Sequence, residues 1–166
     1  MQLDHYSTSF NKQNFPITLI CEQVSNAPNI GSLFRTADAF GIENLIFCGD
    51  AIPFGRHMTK TSRSTEKVVP HTIRKDALAV VLELKAKGYI VISLEITDKS
   101  IALTHFNFST EAPIALVVGD ENFGVSQPIL DLSDAVIHID MFGQNSSMNV
   151  VQAASITLYE ITKQLK

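Results

Sequence analysis

Short apolar runs bounded by turn residues recur along the chain as Ile17–Cys21, Leu45–Cys48, Tyr89–Leu94, Ala115–Val118 and Ala135–Ile139. Each is rich in Val, Ile or Leu, the pattern of a buried strand. Between them the period changes. Ile30, Leu33, Phe34, Ala37 and Phe40 follow helical spacing, and Gly41 is placed to end that helix, so residues 17–48 predict a first β-α-β unit. A second helix is predicted from about Arg74 to Lys87, stopped by Gly88 directly before the Tyr89 run. A last helix is predicted from near Asn149, whose side chain can cap it, with Val150, Ala154, Leu158, Ile161 and Leu165 on one stripe. Alternating β and α with continuous apolar strands predicts an α/β domain: a mostly parallel sheet flanked by helices on both sides. Residues 1–166 are expected to form this single domain, with Met1–Phe15 as a partly loose N-terminal segment.

Composition narrows the class. At 166 residues and 45% hydrophobic, the chain suits one core. Runs such as Ala77–Leu82 fall far short of the roughly 20 residues that a membrane helix needs, so no membrane partner is expected. The N-terminus has neither a basic nor an apolar signal region, and cytoplasmic residence is the default expectation. Cys21 and Cys48 sit in apolar stretches without CxxC spacing and are expected to be buried free thiols. His5, His57, His71, His105 and His138 show no metal-ligand spacing, so no metal is expected; His138 reads as a core or edge residue of its strand. The net charge of -4 opposes nucleic-acid binding only when read as a total. Between Arg56 and Lys75, the cations Arg56, Lys60, Arg63, Lys67, Arg74 and Lys75 face the single acid Glu66. A phosphate-attracting patch and a solvated basic loop both account for that run.

Three segments carry candidate chemistry. In Asn29-Ile-Gly-Ser-Leu-Phe-Arg35-Thr-Ala-Asp-Ala-Phe-Gly41, Asn29 reads as an N-cap, and Gly31 leaves the backbone open to a close partner one turn before Arg35. Arg35 there either grips a phosphate or ribose oxygen or pairs with Asp38. Gly119-Asp-Glu121-Asn-Phe-Gly124-Val-Ser126 leaves the carboxyl end of a strand, where sheets of this type bind ligands, and its glycines permit close backbone approach. It lacks the GK[ST] ending of a triphosphate loop. Glu121 either accepts a ligand hydrogen bond or ties the loop down. Ile139-Asp-Met141-Phe-Gly143-Gln-Asn-Ser146-Ser147-Met148-Asn149-Val150 gathers hydroxyls and amides at a helix N-terminus, which suits a polar ligand edge or an ordinary capping loop. Ser147 has no His and acid at triad spacing, which disfavours a hydrolase.

Taken in order, the three segments resemble the signature of the SpoU (TrmH-like) branch of the SPOUT RNA methyltransferases: N-x-G-x-x-x-R-x-A-x-x-x-G, then strand-G-x-E-x-x-G, then I-x-M-x-G-x-x-x-S-[LM]-N-V. The likeness spans Asn29 to Val150. Asp140 stands where many members carry proline, Met148 replaces the commoner leucine, and Val151-Gln152 follows where a small serine is frequent. The resemblance implies an α/β-knot fold with a C-terminal deep trefoil knot and a homodimer. It also implies an S-adenosyl-L-methionine site built from Leu94, Glu95, Gly119, Glu121, Gly124, Ile139, Met141, Gly143 and Met148. By the same likeness Arg35, Asn29, Glu121, Ser147 and Asn149 form the catalytic set for methylation of a ribose 2′-hydroxyl. Arg35, Arg56, Lys60, Arg63 and Lys67 are the expected RNA contacts. The first strand begins early in the chain, so a separate N-terminal RNA-binding domain is not expected, and transfer RNA is favoured over ribosomal RNA. A non-catalytic RNA-binding or adaptor protein that keeps the knotted fold is the alternative, and a flavodoxin-like ligand module is what architecture alone would allow.

Overall fold

Every apolar run identified in the sequence becomes a strand of one parallel sheet, and the parity of its residues decides which helices it holds. The computed structural model describes residues 8–108 and 111–166. In chain order the strands are β1 (Phe15–Glu22), β2 (Ile42–Cys48), β3 (His71–Arg74), β4 (Ile90–Leu94), β5 (Ile101–Ala102), β6 (Ile114–Val118) and β7 (Ala135–His138). The helices are α1 (Ala27–Ala39), α2 (Arg56–Ser62), α3 (Ala77–Ala86), α4 (Gln127–Leu132) and α5 (Val150–Leu165). The seven strands lie in the order β3-β2-β1-β6-β4-β7-β5, and every pairing is parallel.

Successive side chains on a strand point to opposite faces. Ile17, Leu19, Cys21, Leu45, Phe47, Ile114 and Leu116 accordingly pack with α1 and α5 through Ile30, Leu33, Phe34, Ala154 and Leu158. The intervening Ile20, Ile46, Ala115 and Val117 pack with Val80, Val81 and Leu84 of α3 and Ile129 of α4. The sheet therefore has no polar face at its centre, which is why the runs showed no alternation. Cys21 and Cys48 are buried free thiols, as expected. Burial, helped by the neighbouring Cys48, pushes the Cys21 thiol up, and burial together with Glu22 raises Cys48 to about 12, so neither is a ready nucleophile.

Helix ends follow side-chain chemistry, with two corrections. Asn26, not Asn29, caps α1: its side chain accepts from the Asn29 N–H at 3.0 Å, and Pro28 occupies the first turn, where its missing N–H costs nothing. Gly41 takes φ +58° past the end of α1, as its position suggested. Arg74 belongs to β3 rather than to the next helix, which starts after its Asp76 cap. β3 is an edge strand with no fully buried residue, so it carries no apolar run to read. The same holds for β5, two residues long, and for α2, whose only buried residues are Met58 and Ser62. Asn149 caps α5, accepting from the Val151 N–H at 2.8 Å. Of the stretch expected to be loose, residues 1–7 and with them His5 lie outside the described residues, while Phe15 is the buried first residue of β1. No helix among the described residues is long and apolar enough to cross a membrane.

Strand order positions the site. β6, β4 and β7 are neighbours although they are far apart in sequence, so the loops leaving their carboxyl ends meet at one end of the sheet.

Candidate functional site

The three loops enclose a cavity of about 530 Å³, lined by Leu94–Thr97 after β4, Val118–Val125 after β6, and His138, Ile139, Met141, Ser147 and Met148 after β7. Val150 and Ala153 of α5 complete it, beside Gln127 and Leu130 of α4.

The loop after β6 is held by carboxylates accepting from its backbone. Asp120 Oδ1 accepts from the N–H groups of Asn122 at 2.8 Å and Phe123 at 3.2 Å, and the Asp120 carbonyl accepts from the Gly124 N–H at 2.8 Å. Glu95 Oε2 accepts from the Val125 N–H at 2.9 Å, while its Oε1 accepts from the Ile96 N–H at 2.9 Å. Glu22 Oε2 accepts from the Ser126 N–H at 2.9 Å. Both glycines are required. A Cβ on Gly119 would overlap the Gly124 carbonyl, and one on Gly124, at φ +66°, would overlap the Glu95 carboxylate. Glu95 thus lines the cavity and braces its wall at the same time.

A chain of side-chain hydrogen bonds joins the three sequence segments. Asn29 Nδ2 donates to Glu121 Oε1, and Asn29 Oδ1 accepts from Asn149 Nδ2 at 3.1 Å. Because Asn26 does the capping, the Asn29 amide is free for this bridge. Glu121 and Ser147 line the cavity, and Asn29 and Asn149 tie α1 and α5 to its mouth. Glu121 therefore secures the loop to α1, one of the two roles left open by the sequence.

Arg35 is exposed on α1, forms no ion pair with Asp38, and does not line the cavity. Of the residues expected around a cofactor, Leu94, Glu95, Gly119, Glu121, Gly124, Ile139, Met141 and Met148 all line it. Gly143 does not; its Cβ position faces open space on the outer part of its loop.

The close partner that Gly31 admits is α2. A Cβ there would overlap the Met58 carbonyl and the Thr61 hydroxyl, and Thr61 Oγ1 donates to the Pro28 carbonyl at 3.1 Å. This packing fixes the basic segment beside the first turn of α1. Arg56, Lys60, Arg63 and Lys67 are exposed and have no ion pair among the described residues, whereas Arg74 pairs with Glu83 at 3.1 Å and Lys75 with Asp50 at 3.6 Å. The free cations are thus those nearest the start of the segment.

Thr97 and His138 also line the cavity, beside Phe123 of the second segment; the sequence marks His138 only as a core or edge residue of its strand and gives Thr97 no role. His138 is half-buried, with Nδ1 against Ser100 Oγ at 2.9 Å and Nε2 facing Asp140 Oδ1 at 3.4 Å. Its place immediately before the third segment was the available signal. Among the described residues no cluster of three or more His, Cys, Asp or Glu could hold a metal ion.

Comparison with known proteins places the chain in a family and matches its fold. The model of the SpoU rRNA Methylase family matches residues 16–159. A Staphylococcus aureus (strain MSSA476) protein named as a TrmH family tRNA/rRNA methyltransferase is 32% identical over 156 residues, covering 90% of this chain and 60% of the relative. The chain thus spans about 60% of the length of that curated relative. The solved structure of the A. aeolicus TrmH/SpoU tRNA modifying enzyme is similar with a TM-score of 0.82 at 27% identity, over 92% of this chain and 76% of that one. The SpoU methyltransferase AviRb from Streptomyces viridochromogenes, solved in complex with AdoMet, gives a TM-score of 0.80 at 25% identity, over 93% of this chain and 62% of that one.

Proposed function

The chain belongs to the SpoU rRNA methylase family, and from that premise we propose that it is an S-adenosylmethionine-dependent RNA methyltransferase acting on a ribose 2′-hydroxyl, with transfer RNA favoured over ribosomal RNA. The observation that carries this reading is the Glu121–Asn29–Asn149 chain, which brings the polar residues of three distant segments to the mouth of one cavity.

The cavity suits the cofactor on its own chemistry. Its volume of about 530 Å³ lies in the range of small-molecule sites, roughly 300–1,000 Å³. Leu94, Ile139, Met141 and Met148 offer apolar surface to a flat heteroaromatic ring, and the glycine-bearing loop after β6 offers close backbone approach to a polar tail. When bound, S-adenosylmethionine supplies an electrophilic methyl group carried on a sulfonium.

The residues of the chain then do the positioning, which for a single in-line transfer carries much of the rate. Glu95, Glu22 and Asp120 hold the wall after β6 through its backbone, which reduces the ordering that binding must supply there. Glu121, Asn29 and Asn149 fix the mouth, and Ser147 lines the cavity beside them. Arg35 orients the 2′-hydroxyl and stabilises the negative charge that develops on it; a guanidinium stays protonated and is too weak a base to take the proton itself. A neighbouring phosphate oxygen is the proposed proton acceptor. Arg35 lies outside the cavity of its own chain, which supports the homodimer implied by the family, with Arg35 of the partner subunit at each site. Ile156 and Tyr159, exposed on α5, supply apolar surface for such an assembly. The family's C-terminal trefoil knot accords with a sheet order in which β6 enters between β1 and β4 and β7 between β4 and β5. Arg56, Lys60, Arg63 and Lys67 supply the phosphate contacts.

The deciding experiment maps methylated nucleosides by mass spectrometry in RNA from cells with and without the gene, alongside transfer of labelled methyl groups to that RNA in vitro. Loss of one 2′-O-methylated nucleoside, restored by the purified protein, is the expected result. Cofactor binding without transfer to any RNA would refute the catalytic assignment in favour of a binding protein.

A further inference from the structure

Phe123, in the loop after β6, is 88% exposed, and Phe142, in the loop after β7, is 96% exposed. Neither belongs to either hydrophobic core cluster. An aromatic side chain can remove about 150–250 Å² from water when buried, and these two forgo that gain in the free chain. The Phe123 loop is held in place. The Phe123 N–H is pinned by Asp120 Oδ1 at 3.2 Å, two residues beyond the Glu121 that is tied to Asn29, and Phe123 lines the cavity. Phe142 follows Met141, another lining residue, and precedes Gly143, around which there is open space. The order β6-β4-β7 brings both loops to the same end of the sheet. The first turn of α1, joined to the Phe123 loop through Asn29, is also the turn on which α2 docks with its unpaired cations Arg56 and Lys60.

A rim that combines exposed aromatic faces with neighbouring phosphate-attracting cations has the chemistry of a surface for unstacked nucleotides. Rings without hydrogen-bonding groups hold any base by its π-face, while duplex bases stay stacked on one another and leave such rings bare. Resting on the RNA methyltransferase reading, we propose that Phe123 and Phe142 are stacking platforms for unpaired bases flanking the target nucleotide. The substrate class is accordingly a single-stranded or loop segment, presented splayed, and a continuous duplex is excluded.

The chain contains no tryptophan, so Phe123→Trp and Phe142→Trp each introduce a single indole as a reporter. Single-stranded oligoadenylate should quench both indoles saturably, and a blunt RNA duplex should quench neither. Phe123→Ala and Phe142→Ala should each weaken oligoadenylate binding about tenfold, the scale of one lost base stack, with the tryptophan variants retaining binding and with S-adenosylmethionine affinity unchanged in Phe142→Ala, whose ring lies outside the cavity lining. Equal quenching by duplex, or alanine variants that bind oligoadenylate like the wild type, would overturn the proposal. So would alanine variants that sediment as a smaller species, since the rings would then be contacts between copies of the chain. Failure of methyl transfer is read separately: wild-type protein whose tryptophan variants are quenched by oligoadenylate, but which moves no labelled methyl to small cellular RNA, would sink the methyltransferase reading and leave the stacking surface standing.

Discussion

Replacing Asn29 with aspartate tests whether the hydrogen-bond chain at the cavity mouth matters, because it keeps the shape of the side chain and removes one donor. In the wild type Asn29 Nδ2 donates to Glu121 Oε1, and Asn29 Oδ1 accepts from Asn149. In Asn29→Asp the bond to Asn149 survives and the contact with Glu121 becomes carboxylate against carboxylate. Two like charges about 4 Å apart repel by about 1 kcal/mol in water and about 4 kcal/mol at a protein surface of effective dielectric 20. Glu121 is exposed, so the lower end governs, and adding the lost hydrogen bond, itself about 1 kcal/mol, gives a total of about 2 kcal/mol. Asn29→Ala loses two hydrogen bonds and gains no repulsion, so the two variants cost similar amounts at neutral pH and separate in acid. Close carboxylates share a proton, which raises one pKa. As the pH falls through that raised value, the proton restores a donor between positions 29 and 121, and Asn29→Asp recovers cofactor affinity while Asn29→Ala does not. Calorimetric titration with S-adenosylmethionine between neutral and mildly acidic pH reads both. If Asn29→Asp and Asn29→Ala stay parallel across that range, or if both bind cofactor like the wild type, the bridge does not shape the cavity and the reasoning fails.

Arg35→Ala should leave S-adenosylmethionine affinity within a few-fold of wild type and nearly abolish methyl transfer in single-turnover assays; parallel loss of both would make Arg35 structural. Gly31→Ala forces a methyl group into the Met58 carbonyl and Thr61 hydroxyl, an overpacking cost of about 1–3 kcal/mol; urea denaturation should show it, together with weaker RNA binding as α2 shifts. Neutralising Arg56, Lys60 and Arg63 together should flatten the salt dependence of RNA binding, since each phosphate contact contributes roughly one unit to the slope of log K against log salt; an unchanged slope removes these residues from the interface. Asp134 accepts from the Val91 N–H at 2.8 Å and pairs with Lys85 at 2.6 Å. Partial burial works to raise its carboxyl, but the hydrogen bonds from Lys85 and Val91 outweigh it and hold the pKa below the usual range. Its stabilisation is therefore present above the unfolded value, about 3.9, and is lost as the pH falls through the folded one. Asp134→Asn should be less stable than wild type at neutral pH and converge with it in acid, as denaturation midpoints will report.

The core strands were legible because both of their faces are buried, so hydrophobicity alone marked Ile17–Cys21 and Ala115–Val118. β3 was not, because an edge strand buries nothing fully and its His71-Thr72-Ile73-Arg74 reads as part of a basic segment. α2 was hidden for a related reason. It is anchored by a glycine on another helix, and Gly31 signals only that something comes close, without naming Met58 and Thr61 as what does.

The site divides in the same way. Residues that touch the cavity through backbone and loop position, such as Gly119 and Met141, follow from motif order because each motif directly follows its strand. The coupling between motifs depends on a neighbour relation that chain order conceals, since β4 separates β6 from β7 in the sheet while preceding both in sequence. Asn29 shows what that conceals. A local reading of Asn29 followed by a helical stripe makes it a cap, and an Asn used as a cap has committed its side chain. With Asn26 three residues earlier already satisfying the Asn29 N–H, the amide of Asn29 is released to reach residues 92 and 120 positions away. Two asparagines near the start of α1 are thus not redundant: the first caps the start of the helix so that the second can join loops the sheet has brought together.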